Sequence, residues 1–521
     1  MSAGSAPEVS VVVAVYNTMP YLTRCLSSVL GQSIGADRLE VITVDDGSTD
    51  GSGAELDRWA RSHPDTVKVI HQPNSGGPAG PSNRALDVAT GRFVFFLGAD
   101  DHLGTEALER LVSAADQLDA DIVLGRLIGT GGRLVNQQVY GPGNADDINL
   151  VNSALPWALS NTKLFRRSLI EDLGLRYPEE MRSGSDQPFT LRAVVAARRI
   201  AVRADYPFYY AVRRTDSSNI TYGTPVGRFL RDAAALMDTA AAVVTDPAAR
   251  ERVLHRHFSW EVAKLLGERF LAAPPDERQR VQDGVRRLAD TYLTQTIREN
   301  LEVHRRIPIS LAQHGTVDDV VAVARHTAAH GLSPVVVEAD AYYVALPGFR
   351  DPARAFPDAW YDGSTATRKL AQTAPAEVRW AGGTDAGRVL VIGWHSPLPG
   401  LEPAQVTAGD RPGTLTVLAG PSGGTDIRAE FAVRDLVGQE RTRRRLGVHL
   451  DWTAGGEPHR DSIAGLDLPG VSRVIYRRGL RFYVVHTNCD AHLRLGVVIN
   501  PVTPRRIAGL LLRKLRLRRA R

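Results

Sequence analysis

Residues 92–103, Arg-Phe-Val-Phe-Phe-Leu-Gly-Ala-Asp-Asp-His-Leu, constrain the fold of this chain more than any other stretch. Val94, Phe95, Phe96 and Leu97 form a short uncharged apolar run, the pattern of a strand covered on both faces in a parallel sheet. The run ends in two adjacent carboxylates, Asp100 and Asp101. In an open α/β sheet the ligand site lies just beyond the carboxyl ends of the strands. Paired hard-oxygen groups at such a place suit Mg²⁺ or Mn²⁺ carrying a diphosphate. The plainer alternative is a polar strand-to-helix turn with Asp101 close to a helix start.

The preceding residues repeat the same pattern. Residues 9–15 read as a buried strand followed by Tyr16-Asn17, and a helix is expected over 20–30. A second strand over 39–44 ends in Asp45-Asp46-Gly47-Ser48-Thr49-Asp50-Gly51. A third strand is expected over 67–70, and the loop Asn74-Ser75-Gly76-Gly77 leads into a helix over 82–89. Strands alternating with helices at this spacing predict a doubly wound, mostly parallel sheet. Three polar motifs then fall at strand ends and line one crevice. A carboxylate placed there can accept the N3–H of a uracil ring, so Asp46 is a candidate reader of a nucleotide base. Gly76 and Gly77 permit close backbone approach, and the helix start after Pro81 offers N–H groups to phosphate.

Val-Ser-Val-Val-Val-Ala-Val-Tyr-Asn, Val-Asp-Asp-Gly-Ser-Thr-Asp-Gly-Ser, Asn-Ser-Gly-Gly and Ala-Asp-Asp occur in that order. Together they resemble the family 2 inverting glycosyltransferases of GT-A fold, over residues 9–222. The resemblance implies a UDP-linked sugar donor held through Mn²⁺ or Mg²⁺. It places Ala14 and Tyr16 beside the nucleoside, Asp46 on the uracil, and Asn74 and Gly76 in the donor loop. Asp100 would meet the ribose or the metal, and Asp101 the metal and diphosphate. Two departures stand out. Gly98 occupies the place of the first carboxylate in Asp-x-Asp-Asp, and Pro81-Ser82-Asn83 stand where many members carry an Arg, so a diphosphate or base contact is either lost or supplied by Arg84.

The second centre of chemistry is Arg182-Ser183-Gly184-Ser185-Asp186-Gln187-Pro188-Phe189, just ahead of a helical pattern. By placement alone Asp186 suits a helix N-cap. In the family an acidic residue here is the general base, because an acceptor hydroxyl needs a carboxylate to take its proton. Ser185 replaces the acidic neighbour of many members, leaving Asp186 as the base of this motif. Ser185 and Trp157 are assigned to the acceptor side, with Trp157 able to stack on a sugar face or to serve as a core residue. After an expected strand over 206–212, Arg213 or Arg214 would neutralise the leaving diphosphate and Asp216 would be a further metal ligand. A solvated surface loop is the alternative there.

The chain is too long for one core. The expected division is a GT-A catalytic domain over 1–225, a helical linker over 226–332 and a C-terminal all-β, sandwich-like domain over 333–504. Residues 505–521 form a basic, leucine-rich tail suited to an anionic membrane surface, with RNA binding or disorder as alternatives. This arrangement resembles bacterial wall-teichoic-acid β-N-acetylglucosaminyltransferases, which implies a glycan or polyol-phosphate acceptor and a homo-oligomer formed through the β domain. With two cysteines far apart, neither a disulfide framework nor a zinc pattern is expected, and a reducing cytoplasm fits. No signal peptide or membrane span is expected. A net charge of +5 does not by itself argue for nucleic acid. The reading is therefore an inverting glycosyltransferase, cytoplasmic and peripheral on the inner membrane face. Its rivals are a sugar-nucleotide or glycan-binding scaffold without catalysis, which Gly98 and Ser185 keep open, and a sugar-phosphate nucleotidyltransferase, disfavoured because its Gly-rich triphosphate loop is absent.

Overall fold

The computed structural model describes residues 6–214, 225–330, 335–338, 341–364, 377–382, 387–396, 402–420, 424–454, 457–463, 473–489 and 494–502. These divide into two compact units. One comprises the chain up to Leu301 together with Pro308–Val320, and the other Glu302–Ile307 and the chain from Val321 onward. The expected tail over 505–521 and Asp216 lie outside the described residues.

The first unit is built on a seven-stranded sheet. In chain order its strands are β1 (Val9–Val15), β2 (Leu39–Asp45), β3 (Val67–His71) and β4 (Phe93–Phe96), followed by others introduced below. β1 runs parallel to both β2 and β4, pairing Val9 with Leu39 and Val9 with Phe93, and β2 runs parallel to β3. Every residue of β2 and β4 is buried, as expected of strands covered on both faces. Three helices connect them: α1 (Tyr21–Leu30), α2 (Ser52–Ser62) and α3 (Ala79–Leu86). Leu22, Cys25, Leu26 and Val29 of α1 are buried in the core with Val11 and Val13, so Cys25 is the core residue its helical spacing predicts. Because these four strands are parallel, Tyr16, Asp46 and the Gly98–Asp101 turn all emerge at one edge of the sheet.

The rest of this sheet differs from the sequence reading in two places. The apolar stretch of residues 121–128 reads in the sequence as one strand, but the chain forms two, β6 (Ile122–Gly125) and β7 (Leu127–Thr130). The break has a physical cause at Arg126, whose N–H donates to the carbonyl of Arg203 while its own carbonyl accepts from the N–H of Phe208. Gly125 leaves room for the Phe208 ring, which a Cβ there would meet at 2.5 Å. β6 therefore stays in the main sheet, while β7 joins a small three-stranded sheet with β5 (His102–Leu103) and β10 (Tyr209–Val212). The second difference is β8 (Leu164–Arg166), a three-residue strand inserted antiparallel between β4 and β6. With β9 (Ile200–Arg203) the order across the main sheet is β3-β2-β1-β4-β8-β6-β9, which is mostly parallel. α3 also begins at Ala79, ahead of the expected start near Ser82. Pro81 lies in its first turn, where a missing N–H costs no intrahelical bond.

Between β6 and β9 run α5 (Arg167–Asp172) and α6 (Asp186–Ala196), α4 (Ala107–Leu118) having preceded β6. α6 is tied to the main sheet by aromatic rings. Phe96, the last residue of β4, meets Phe165, Tyr177 and Phe189 edge-on, and Tyr177 stacks on Phe189 at 4.5 Å. Helices Val226–Val243, Pro247–His257 and Pro275–Tyr292 follow in the same unit.

The second unit contains antiparallel sheets. One has four strands in the order Glu377–Ala381, Val389–Ser396, Thr425–Ala432 and Thr414–Ala419, and another has seven, centred on Arg444–Ala454 and Leu495–Pro501. Thr425, Ile427, Ala429 and Phe431 alternate inward along their strand, the period-two pattern of a sheet with one buried face. The all-β expectation holds for this region.

Phe96→Ala removes a ring that joins β4 to α6. It is expected to destabilise the first unit by about 3–5 kcal/mol, read as a lower midpoint of urea unfolding.

Candidate active site

Four groups of polar residues gather at the carboxyl edge of the main sheet. The first surrounds Asp46, which is buried. Its carboxylate accepts from Gln72 Nε2 at 2.6 Å and from Ser75 Oγ at 2.9 Å, while the Ser75 N–H is shared between both oxygens at 3.0 Å. Asn74 Nδ2 donates to the Asp46 carbonyl, and Asn74 Oδ1 accepts from the N–H of Gly76. Gly76 has φ +86°, a left-handed conformation that glycine adopts without strain. Asp46 and the 72–76 loop thus form one rigid element. Tyr16 stands exposed at the end of β1, with Ala14 half-buried two residues earlier.

The second group is the turn after β4. Asp101 is buried and folds inward: Tyr209 Oη donates to Oδ2 at 2.5 Å and the Val212 N–H to Oδ1 at 2.7 Å, with Arg133 Nη1 at 3.5 Å. The Tyr209 oxygen accepts in turn from the N–H of Gly98 at 3.1 Å. A Cβ at Gly98 would lie 2.8 Å from Asp101 Oδ2 and 3.1 Å from the Tyr209 oxygen. The missing first carboxylate and the inward turn of Asp101 are therefore one arrangement, because a side chain at 98 needs the space they occupy. Burial first, and then the neighbouring Asp100, push the Asp101 carboxyl up to about 6 against the opposing pull of Arg133 and Tyr209.

Asp100 points the other way, towards the third group. Its carboxylate lies 3.7 Å from Arg214 Nε. Arg214 also donates to the Asn17 carbonyl at 2.5 Å and covers the Tyr21 ring at 5.7 Å, so it bridges from the end of β10 to the start of α1. Arg213 is exposed, its N–H bonded to the Thr130 carbonyl.

The fourth group surrounds Asp186, the first residue of α6. The Phe96–Phe189 contact sets this turn beside the strand that ends in Asp100 and Asp101. From the other side, Gly77 of the Gly-rich loop would bring a Cβ to 3.8 Å from the Arg182 carbonyl. Asp186 is half-buried, and burial raises its carboxyl above the ordinary aspartate range. Its own backbone N–H, Lys163, Arg256 and the N–H of Asn161 oppose that rise. Lys163 is buried, its ammonium bonded to the Ser160 carbonyl, and burial pushes it down to about 7 although Asp186 favours its charge. Ser185 is 2% exposed and faces inward. Trp157 is half-buried and meets His255 edge-on at 6.0 Å. Arg84 is exposed on α3, whereas Asn83 is buried and bonds the backbone of Tyr177 and Glu179 Oε1.

Of the residues singled out in the sequence, Asp46, Asn74, Gly76, Asp100 and Arg214 lie along one edge, with Asp186 beside it. Among the described residues no three His, Cys, Asp or Glu side chains are grouped to hold a metal ion. The donor set tests a divalent cation as follows. Asp100 presents a partly exposed carboxylate beside Arg214, and Asp101 supplies a second only by releasing Tyr209 and Val212.

Sequence reasoning missed Tyr209, Arg133, Lys163, and the pair Arg256 and Glu261. A signal existed for the last. His257 and Glu261, four residues apart, fall on the same helical stripe as Leu254, Phe258 and Val262, and polar groups on a buried stripe require partners.

The mostly parallel sheet, with an acidic turn after β4 and a helix headed by Asp186, has the arrangement of a GT-A domain. Residues 10–174 match the family model described as glycosyl transferase family 2, and residues 227–324 match the glycosyl transferase TarS linker domain. Over 265 residues the chain is 32% identical to the poly(ribitol-phosphate) β-glucosyltransferase of Bacillus spizizenii, covering 49% of this chain and 41% of that protein. It is 36% identical over 205 residues to the poly(ribitol-phosphate) β-N-acetylglucosaminyltransferase TarS of Staphylococcus aureus, covering 39% and 35%. The chain thus spans less than half the length of these relatives. A crystal structure of S. aureus TarS 1–349 with UDP-GlcNAc aligns with TM-score 0.56 at 25% identity over 66% of this chain and 97% of that one. The S. aureus TarS structure covering 95% of this chain and 86% of that one aligns with TM-score 0.60 at 19% identity, which establishes the shared fold.

Tyr209→Phe takes the donor from a buried carboxylate oxygen. A loss of about 1–3 kcal/mol in unfolding free energy is expected, and ¹³C titration of the aspartate carboxyls should show Asp101 moving above about 6.

Proposed function

We propose that this protein is an inverting glycosyltransferase that moves a sugar from a UDP-linked donor to a hydroxyl of a polyol-phosphate polymer of the teichoic-acid kind. The observation that carries this reading is the meeting of the β4 turn with the first turn of α6, which brings a diphosphate-facing Asp100 and a proton-accepting Asp186 to one edge. The matching of both the family 2 and the TarS linker regions supports the polymer class. The two poly(ribitol-phosphate) relatives transfer different sugars, glucose and N-acetylglucosamine, so the donor panel begins with those two.

In the mechanism, Tyr16 stacks on the base and the rigid Asp46–Ser75 element bounds its edge, with Ala14 beneath. Asn74 and Gly76 shape the loop over the donor. Asp100, with Asp101 and Asp216 as further ligands, would hold Mn²⁺ or Mg²⁺, which supplies charge neutralisation at the diphosphate. Arg214, with Arg213 next to it, lies where it can stabilise the departing UDP. Asp186 accepts the acceptor hydroxyl proton as that oxygen attacks the anomeric carbon from the face opposite UDP, giving a β-linkage from an α-linked donor. Trp157 and Ser185 belong to the acceptor side.

No helix among the described residues is long and apolar enough to cross a membrane. We place the protein in the cytoplasm, with the basic tail over 505–521 contacting the anionic inner membrane face and the β domain joining copies of the chain. The domain division at 225, 332 and 504 belongs to the same proposal.

UDP release from UDP-glucose or UDP-N-acetylglucosamine in the presence of polyribitol phosphate tests the reading. Asp186→Asn is expected to lower kcat by about 10²–10⁴-fold while donor binding by calorimetry persists. Unaltered turnover in that variant would remove Asp186 from the mechanism. Because the base must be ionised and its carboxyl is raised, the rate should fall with decreasing pH through a value above the ordinary aspartate range.

A further inference from the structure

The helix Pro247–His257 continues into a widened π turn, Phe258–Val262, before the chain leaves it. Such turns insert one residue into a helix and are concentrated at functional sites. This one brings Glu261 back onto Arg256. Arg256 Nη1 lies 2.7 Å from each Glu261 oxygen, and His257 Nδ1 lies 3.2 Å from Oε2. Both charged side chains are nearly buried, with 12% and 7% of their surface exposed.

The pair is closed by a residue of α6. Arg256 Nη1 donates to Gln187 Oε1 at 2.5 Å, and Gln187 Nε2 donates to Glu261 Oε1 at 3.3 Å. Both ends of the Gln187 amide are therefore gripped by one ion pair. Gln187 directly follows Asp186. Gly184, at φ +74°, leaves the amide its place, since a Cβ there would stand 3.0 Å from Gln187 Nε2. Apolar side chains would join two helices without the desolvation cost of a buried ion pair. What an ion pair adds is direction.

We propose that Arg256 and Glu261 are positioning residues for the transfer reaction: their clamp on the Gln187 amide fixes the first turn of α6 and so the direction of the Asp186 carboxylate. The proposal rests on the reading of Asp186 as the base. The charged and titratable groups facing Asp186 are Lys163 from the segment before β8, Tyr177 from the segment before α6, and Arg256 from the helix Pro247–His257, with Glu261 and His257 behind it. Arg256 thus acts twice, by geometry through Gln187 and by its positive charge, which favours the ionised base. Burial opposes the charge of Glu261, but Arg256 and then His257 overcome it and hold that carboxyl down to about 2, so Glu261 keeps its charge for the clamp.

The test uses the full chain and UDP release across pH, with the wild type and Asp186→Asn beside Gln187→Met, Arg256→Met, Arg256→Lys and the double variant Gln187→Met/Arg256→Met. Arg256→Met should lower kcat by about 10²-fold, the order of effect that a 1 Å misplacement produces, with donor KM within about twofold of wild type. Its acid limb should move to higher pH. Gln187→Met leaves the ion pair in place and should show the kcat loss without the shift in pH. The double variant should be no worse than the poorer single one, and Arg256→Lys should restore the acid limb but only part of kcat. Wild-type kcat and an unmoved acid limb in both Arg256→Met and Gln187→Met, with a lowered melting temperature, would overturn the proposal. Full activity in Asp186→Asn would instead overturn the base assignment beneath it.

Discussion

The site depends on the contact between Phe96 at the end of β4 and the Phe189–Tyr177 stack beside the first turn of α6. Parallel strands alone place Tyr16, Asp46 and the acidic turn on one edge. Nothing in that pairing brings in a carboxylate from a segment some 85 residues further along. Three interlocked rings do so, and aromatic packing of this kind is both strong and directional. The fold thereby joins the parallel strands to α6, a helix that makes no β-pairing with them, while β8 pairs antiparallel with β4 alongside.

Burying carboxylates is costly unless their oxygens are hydrogen-bonded. The three central aspartates meet that condition in different ways. Asp46 is saturated by the loop it anchors. Asp101 is held by a phenol and a backbone N–H from the small sheet. Asp186 has weaker support, from two backbone N–H groups and two cations at a distance, and its carboxyl stays raised. On the proposed reading that difference suits Asp186, because a proton acceptor works best when its basicity approaches the working pH.

Much of the donor half was legible in the sequence because strands buried on both faces read as continuous apolar runs, and because the motifs sit where those runs stop. The helical region and the all-β character of the second unit were legible for the same reason, periodicity. What escaped was set by tertiary packing. β8 is three residues long and pairs antiparallel, so no period reveals it. The division of residues 121–128 into two strands follows from Phe208 pressing on Gly125, a contact about 80 residues away in sequence. Lys163 stood in plain view next to Leu164 and Phe165, but only the fold buries its ammonium near Asp186. Tyr209 looked like one aromatic in a strand, and only the turn at Gly98 makes its hydroxyl a partner of Asp101.

Gly98 carries a further consequence. By omitting a side chain it limits this turn to two acidic groups, and burial together with the neighbouring Asp100 pushes the Asp101 carboxyl up to about 6. Asp101 can therefore take up a proton nearer to neutrality than an ordinary aspartate, whereas a third carboxylate at this turn would have crowded a further negative charge against the pair. The electrostatics of this edge of the sheet thereby become adjustable by protons instead of being set once by composition.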